Sequence, residues 1–200
     1  GGASPSIALL PLIVLMFLAG MLGAGVVGVA IERFAYRPLR NAPRIAVLIS
    51  ALGVSFFLQN SMLLLFGAQF WSYESFQLGS YNAEVFAPGP LVEPVFTISG
   101  VNVQLIQLVV FATTIVLMVA LTLVVSRTRL GKAMRATAFD REAAAMMGID
   151  VDRVIASTFF IGSVLAGAAG VMFGLMFSQI FHFMGFLAGL KGFTAAVVGG

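Results

Sequence analysis

The chain has 200 residues, of which 60% are hydrophobic and only 10% are charged. This composition is far from that of a soluble globular domain and predicts an integral membrane protein. The absence of cysteine excludes disulfides and thiolate metal sites, and the single histidine, His182, does not favour a histidine metal centre. The net charge of +3 does not indicate nucleic-acid binding, because ten of the eleven basic residues lie in two short segments between apolar runs. We therefore expect a protein of the lipid bilayer with no cofactor and no nucleic-acid partner.

Four apolar runs are long enough to cross a bilayer, namely residues 7–31, 45–66, 105–125 and 154–177. The intervening segments 32–44 and 126–153 carry nearly all of the arginines and lysines, whereas 67–104 carries glutamates and no basic residue. By the positive-inside rule the first two segments are cytoplasmic and the third is extracytoplasmic. The sequence thus predicts an all-α integral membrane protein, a polytopic helix bundle with about four full spans. The C-terminal stretch 178–200 could add a re-entrant segment.

Small residues within two of the spans indicate close helix packing. The first span contains Gly20, Gly23, Gly25 and Gly28, which predicts a face that meets protein rather than lipid, although these glycines could instead only loosen the helix. The fourth span contains the pair Gly170 and Gly174, four residues apart, for which we expect ordinary helix packing.

Two amides, Gln59 and Asn60, lie late in the second span. Because amide side chains are costly in contact with lipid, we expect them either to hydrogen-bond another helix or to line a polar passage. In the following segment, Trp71 and Tyr73 fit an interfacial aromatic belt. Further along, two β-prone runs on either side of Ser99-Gly100 predict a small β-hairpin.

The segment 126–153 is the longest charged stretch of the chain. Thr137 and Asp140 are three residues apart, a spacing typical of a helix start at which both side chains cap free backbone N–H groups. The apolar residues that follow recur at helical spacing, and Gly148 is suited to the left-handed conformation that ends a helix. The apolar face consists of Phe139, Ala143, Met146 and Met147. The pattern predicts an amphipathic helix of two to three turns that either docks a soluble partner or only lies on the headgroups as a topology anchor.

The sequence lacks the residue patterns of an enzyme or of an ion-coupled transporter. None of the four spans contains Asp, Glu, Lys or Arg, which ion-coupled transporters usually place at membrane depth. Gly131-Lys132 is not part of a phosphate-binding loop, because the preceding glycine and the following Ser or Thr are absent. Any energy for transport must then come from a partner. A scaffold subunit and a lipid-modifying enzyme with its catalytic residues elsewhere stay open as alternatives.

Three stretches resemble one family of membrane proteins. ERFAYRPLR with the following LISALGVSFFLQN resembles the first cytoplasmic loop and next helix of branched-chain amino-acid ABC transporter permeases. TRLGKAMRATAFDREAAAMMGIDVDRVI resembles the coupling loop of the same family, and the tail from Gly189 resembles the run before its last helices. The chain is more similar to the first of the two paired permeases. Relative to that family it lacks N-terminal helices and the C-terminal end, so residues 1–200 are expected to be one partial transmembrane domain.

The resemblance implies an ATP-driven importer in the inner (plasma) membrane. Its expected partners are two ABC ATPase subunits, a second homologous permease and an extracytoplasmic amino-acid-binding protein. Related permeases carry amides or urea, so these substrates stay possible. The residues that the resemblance assigns to the ATPase contact are Asp140, Arg141, Glu142, Ala143, Ala144 and Gly148. Gln59 and Asn60 are the candidates for the substrate pathway.

Overall fold

A computed structural model describes residues 5–39, 42–69, 71–72, 94–98, 101–177 and 179–199. The long helices are α1 (Pro5–Ile31), α2 (Arg44–Phe66), α3 (Leu105–Arg127) and α6 (Val151–Phe177). Four helical stretches are long and apolar enough to cross a membrane, with bounds at Val14–Leu39, Ile45–Phe66, Gln107–Arg127 and Val151–Phe177. The first of them begins inside α1 and runs past its end at Ile31. The predicted all-α polytopic architecture with four spans is therefore confirmed.

Helix α1 does not end in an irregular loop at Ile31. It continues through a π-helical stretch, Glu32–Tyr36, in which the N–H of Arg37 donates to the carbonyl of Glu32, and then through a 3₁₀ turn, Arg37–Leu39. Segment 32–39 is thus helical where the sequence analysis expected a loop. A helical backbone satisfies its own N–H and C=O groups, which an irregular loop would leave to other partners.

The central contact of the fold joins α1 to α6 in antiparallel orientation. Gly28 lies against Ser163, Gly25 lies against Phe160 and Val164, and Gly20 lies against Gly167 and Val171. A Cβ atom on Gly25 would come within 2.7 Å of the Phe160 ring, so only glycine allows this approach. The predicted protein-facing glycine face of the first span is confirmed for Gly20, Gly25 and Gly28, because small residues let helix backbones approach closely where hydrophobicity gives no driving force. Gly23 does not belong to this face, since it is exposed and an added Cβ there has no atom within 4 Å.

The glycines in α6 take part in ordinary helix packing, as expected, but not every one of them does so. Gly167 makes the close contact with α1, whereas an added Cβ on Gly170 would have no atom within 4 Å. Gly174 is buried. Two glycines four residues apart in one helix do not show which of them meets a neighbouring helix, because that depends on the register of the partner helix.

Helices α2 and α3 are much less covered than the α1–α6 pair. Among the residues of α2 and α3 whose burial is described, none is buried. α2 packs against the π-helical stretch after α1, and its Phe56 ring lies 6.3 Å from that of Phe186. Phe186 belongs to α7 (Met184–Gly199), which at 16 residues is about 24 Å long and shorter than the hydrocarbon core. The re-entrant character of segment 178–200 stays a prediction.

Two short antiparallel ladders complete the described structure. Strands β2 (Pro94–Ile98) and β3 (Val101–Gln104) pair with Ile98 opposite Val101, which confirms the predicted hairpin. Strands β1 (Trp71–Ser72) and β4 (Gln179–Ile180) pair with Trp71 opposite Ile180, which was not predicted. The second ladder brings the C-terminal ends of α2 and α6 to one side of the molecule. Residues 73–93, with Tyr73, and the hairpin residues Ser99 and Gly100 lie outside the described residues.

Candidate functional site

The segment after α3 folds back on it as a second helix, α4 (Arg129–Phe139). Thr128 caps this helix, since its hydroxyl accepts from the N–H of Gly131 at 3.0 Å. A Cβ on Gly131 would collide with the carbonyl oxygens of Val124 and Val125, so the turn requires glycine. Arg135 donates to the carbonyl of Val125 at 3.0 Å and fastens α4 to the end of α3.

Sequence reasoning missed α4 because it treated 126–153 as a loop with one helix. The missed signal was present in the sequence. Thr128 is a favoured cap residue, and Leu130, Ala133, Met134 and Thr137 follow at helical spacing. In the structure the side of α4 that carries these residues is the more buried one.

The helix start was predicted at Thr137, and this is wrong. Thr137 lies inside α4, and its buried Oγ1 has no hydrogen-bond partner among the described residues. Asp140 alone marks the break: its backbone is extended, and its Oδ1 accepts from the N–H groups of Glu142 at 2.9 Å and Ala143 at 3.1 Å. The carboxylate caps because it satisfies two N–H groups at once at the positive end of the helix.

The helix that follows is α5 (Arg141–Met146), six residues long and shorter than the predicted two to three turns. Its end was predicted correctly. Gly148 has φ of +82°, its N–H donates to Ala145 at 3.0 Å, and the N–H of Ile149 donates to Ala144 at 3.1 Å. This pair of bonds is the glycine-terminated Schellman arrangement, which satisfies the last carbonyls of the helix.

One face of the α4–α5 turn carries large apolar side chains that nothing covers. Phe139 is 96% exposed, Met146 is 82% exposed and Met147 is 83% exposed. Ala144, on the opposite side of α5, is 4% exposed and lies against the rest of the protein. Asp140, Arg141 and Glu142 are exposed beside the apolar group, and Ala143 is half-buried. We call Phe139, Met146 and Met147 the apolar tip.

The α5 turn is held to the start of α6 and, through it, to the segment after α1. Asp150 caps α6 by accepting from the N–H of Arg153 at 3.0 Å. Asp152 in the first turn of α6 forms an ion pair with Arg37 at 3.7 Å. These contacts fix the base of the turn while its apolar tip stays free.

An open cavity of about 890 Å³ separates the α4–α5 junction from α2. Its walls are mainly apolar on the side of the spans and charged on the side of α5. The residues that line it are Tyr36, Leu39, Ala42, Val47, Leu48, Thr137, Ala138, Phe139, Asp140, Arg141, Glu142, Ile155 and Phe159. The junction is therefore not packed against α2.

The amides of the second span find partners inside their own helix. Gln59 donates to the Ser55 hydroxyl at 3.3 Å, and Asn60 donates to the carbonyl of Phe56 at 2.8 Å. The expectation that they bond to another helix is not met among the described residues. A residue four positions earlier in a helix is always within reach of a short polar side chain, and this local partner takes the donor. Asn60 is exposed on the surface of α2.

The described residues contain no group of three or more His, Cys, Asp or Glu side chains that could hold a metal ion. The features that define the class of this protein are its membrane-spanning helices and the exposed turn between α4 and α5. It is a polytopic helical membrane protein with a short helical turn outside the spans, whose exposed apolar tip is suited to contact another protein or the membrane surface.

The comparison with known proteins gives the family. Residues 3–200 match the family described as the permease component of branched-chain amino acid transport systems. The chain is 41% identical over 184 residues to the high-affinity branched-chain amino acid transport system permease protein BraD of Pseudomonas aeruginosa. It is 40% identical over 193 residues to the protein of the same description, LivH, of Escherichia coli K12, and 39% identical to LivH of Salmonella typhimurium. No solved structure matches the chain significantly.

The chain belongs to this family of transport permeases, as its sequence motifs indicated. With its four apolar helices, it is a multi-span protein of the inner membrane. The matched region covers 92% of the chain but 57% of BraD, and 93% of the chain but 58% of Escherichia coli LivH. The chain thus spans less than two thirds of the length of these curated relatives.

Proposed function

We propose that the chain is part of the membrane-spanning permease subunit of an ATP-driven importer for branched-chain amino acids. The names of BraD and LivH describe high-affinity transport of these amino acids, and the family match extends over nearly the whole chain. The complete importer would contain a second homologous permease, two ABC ATPase subunits and an extracytoplasmic amino-acid-binding protein. ATP hydrolysis would belong to the ATPase subunits and not to this chain.

The docking surface for the ATPase is the α4–α5 turn. The observation that carries this assignment is the exposure of the apolar tip, Phe139, Met146 and Met147, on an element outside the spans. Large apolar side chains grouped on a surface and rimmed by charges are typical of protein interfaces. The contact would be made by Asp140, Arg141, Glu142, Ala143 and Gly148 together with the apolar tip. Ala144, which the resemblance also assigns to the contact, is buried and would instead hold α5 against the permease.

The structure of the turn suggests how it would transmit motion. Asp140 and Gly148 fix the two ends of α5 by capping, so the turn can move as a rigid piece. The cavity between the junction and α2 leaves space for such a movement. Closure of the ATPases would shift α5 together with the start of α6 and bias the permease between two arrangements.

We propose the orientation given by the charge distribution, with 32–44 and 126–153 in the cytoplasm and 67–104 outside. The ladder between β1 and β4 agrees with this grouping of segments, because it joins the ends of α2 and α6 on one side of the molecule. The ion pair between Arg37 and Asp152 joins the two basic segments, and the excess of basic residues assigns their side to the cytoplasm.

For the substrate pathway, we propose Gln59 and Asn60. Both amide donors are bonded within α2, and Asn60 is exposed on its surface. Their amide oxygens accept no hydrogen bond within the described part of the chain and could receive the ammonium group of an amino acid. Amides or urea would be recognised by similar hydrogen bonds and are the alternative substrates.

The deciding experiment is co-purification of the complete permease with its ATPases in mild detergent, wild type beside Glu142→Lys. We expect the wild type to retain the ATPase and Glu142→Lys to lose most of it. Glu84→Lys makes the same charge change in the predicted outer segment and should retain the ATPase. Import of labelled leucine into proteoliposomes with the binding protein then tests the substrate.

Three alternatives, namely a scaffold subunit, a topology anchor and a different substrate, give different results in these experiments. A scaffold subunit would assemble with its partners, but its removal would leave leucine uptake intact. If neither wild type nor variant binds ATPase, the α4–α5 turn is a topology anchor and the docking assignment is wrong. If ATPase binds and urea or an amide is imported instead of leucine, the docking assignment holds and the substrate is corrected.

A further inference from the structure

Helix α4 presents one basic face beside the end of a membrane span. Arg129, Lys132 and Arg135 are three residues apart, which places them along one side of the helix, and all three are exposed. Arg127, the last residue of α3, is exposed next to them. No Asp or Glu occurs between Ser126 and Phe139. We call Arg127, Arg129 and Lys132 the basic face, because the Arg135 side chain is engaged with Val125.

The charges of the basic face have no acidic partner among the residues that the structure describes. Elsewhere on the predicted inner side, Arg37 pairs with Asp152, and Arg153 pairs with Asp150 at 3.8 Å. The basic face therefore concentrates uncompensated positive charge. Such a surface attracts anionic groups most strongly where water is partly excluded, as at a membrane interface.

The basic face is held at the level of the membrane surface. Only Thr128 separates α4 from α3, and the bond from Arg135 to the carbonyl of Val125 keeps α4 folded against the end of the span. α4 also contacts α6 through its opposite side. The basic side chains thus cannot extend far into the cytoplasm.

An exposed apolar face of α3 leads directly to the basic face. Val116, Val119, Leu123 and Arg127 follow each other at spacings of three and four residues and so share one side of the helix. All three apolar members are exposed, at 64%, 47% and 53%. A molecule along this side meets hydrocarbon first and then a cation. A phospholipid has this arrangement of acyl chain and headgroup.

We propose that Arg127, Arg129 and Lys132 bind the headgroup phosphate of an anionic phospholipid whose acyl chain lies along Val116, Val119 and Leu123. The acyl contact distinguishes this ligand from free phosphate, and the membrane level distinguishes it from an acidic protein surface. The site is independent of the ATPase contact, whose apolar tip is at the other end of α4. That it faces the cytoplasmic leaflet rests on the proposed orientation.

The test uses the full permease chain, reconstituted in phosphatidylcholine with phosphatidylglycerol added and then extracted in mild detergent. Native mass spectrometry gives the ratio of retained phosphatidylglycerol to phosphatidylcholine. We expect a clear excess of phosphatidylglycerol on the wild type. Arg127→Gln combined with Lys132→Gln should reduce this preference roughly 25-fold, since each basic residue near a membrane surface contributes about fivefold.

The matched control is Arg153→Gln combined with Lys191→Gln, which removes the same number of charges away from the basic face. It should keep the wild-type preference. Equal loss in both double variants, or none in the first, overturns the proposal. If the first variant keeps its phosphatidylglycerol but loses ATPase, the basic face binds protein and the lipid assignment is wrong.

A second measurement needs no variant and covers the case in which the double variant does not fold. The wild-type preference for phosphatidylglycerol should fall as the salt concentration rises, because exposed charges are screened. A preference that salt does not change overturns the proposal. Soluble glycerol phosphate in excess should displace little of the lipid, since it lacks the acyl contact. Full displacement would instead indicate a phosphate site without a lipid contact.

Discussion

The ring of Tyr36 packs against the ring of Phe159, with centroids 4.9 Å apart and planes tilted by 47°. Beside it, Arg37 pairs with Asp152 at 3.7 Å, where the two side chains are 52% and 56% exposed. Both contacts join the helical stretch after α1 to the first turns of α6. They differ in how much each should stabilise this junction.

We predict that Tyr36→Ala destabilises the protein by about 1–3 kcal/mol, since it removes an aromatic contact and its buried area. Arg37→Gln should cost less than about 1 kcal/mol, because an exposed ion pair is weakened by solvent. Thermal unfolding in detergent, followed for both variants, checks the order. A larger loss for Arg37→Gln would show that the ion pair holds the junction.

The glycine contact between α1 and α6 gives a second prediction. Gly28→Ala places a Cβ against the Ser163 side chain and should lower stability by about 1–3 kcal/mol through overpacking. Gly23→Ala is the matched control, because an added Cβ there has no atom within 4 Å. We expect the control to leave the melting temperature nearly unchanged. Equal effects of the two variants would contradict the observed register of the helices.

The break between α4 and α5 gives a third prediction. Asp140→Ala removes the cap of α5 and should cost about 1 kcal/mol, seen as faster hydrogen exchange at the N–H groups of Glu142 and Ala143. Thr137→Val should not raise exchange at these groups, because the Thr137 hydroxyl makes no hydrogen bond among the described residues. If Thr137→Val raises exchange there as strongly as Asp140→Ala, the helix begins at Thr137 after all.

Gly148 allows a prediction that depends on the backbone alone. Its φ of +82° is strained for other residues, yet an added Cβ would have no atom within 4 Å. Gly148→Val should therefore cost about 1–2 kcal/mol through backbone strain, and Gly148→Asn should cost less, because Asn tolerates this conformation. Hydrogen exchange at Ile149, whose N–H donates to Ala144, reports the change. Equal exchange for Val and Asn would show that strain is not the cause.

The membrane orientation can be tested with single cysteines, because the chain has none of its own. Met146→Cys on the exposed apolar tip should react with a membrane-impermeant thiol reagent only from the cytoplasmic side. Ser80→Cys, in the predicted outer segment, should react only from the opposite side. Labelling of intact cells and of inverted vesicles compares the two directly. The reverse pattern would invert the proposed topology.

Features set by local sequence were predicted well. The four spans follow from long apolar runs, the β2–β3 hairpin follows from two β-prone runs around Ser99-Gly100, and the end of α5 follows from Gly148. In each case the signal and the structure lie within a few neighbouring residues. Local residue preferences are then enough to determine which secondary structure forms.

Features that depend on distant partners were not predicted. The β1–β4 ladder pairs Trp71 with Ile180, more than a hundred residues apart, and neither strand is long enough to show alternation. Helix α4 was missed for a different reason. Its own cap, Thr128, is a local signal, but Thr137 and Asp140 offered a second helix start, and only the structure shows that Thr137 lies inside α4. Gln59 and Asn60 were expected either to hydrogen-bond another helix or to line a polar passage, and their amide donors are bonded within their own helix.

The close packing of α1 against α6 makes these two helices one unit that moves as a rigid body. Because Gly28 meets Ser163 and Gly20 meets Gly167, neither helix can slide past the other without separating. The buried Ala144 lies on α5, which contacts α6, and Asp152 of α6 pairs with Arg37 after α1. A displacement of the α5 turn would therefore be transmitted to both helices. Helix α2 touches this unit through the stretch after α1, and none of its residues whose burial is described is buried, so it can shift relative to the α1–α6 pair more easily than these two helices can shift relative to each other.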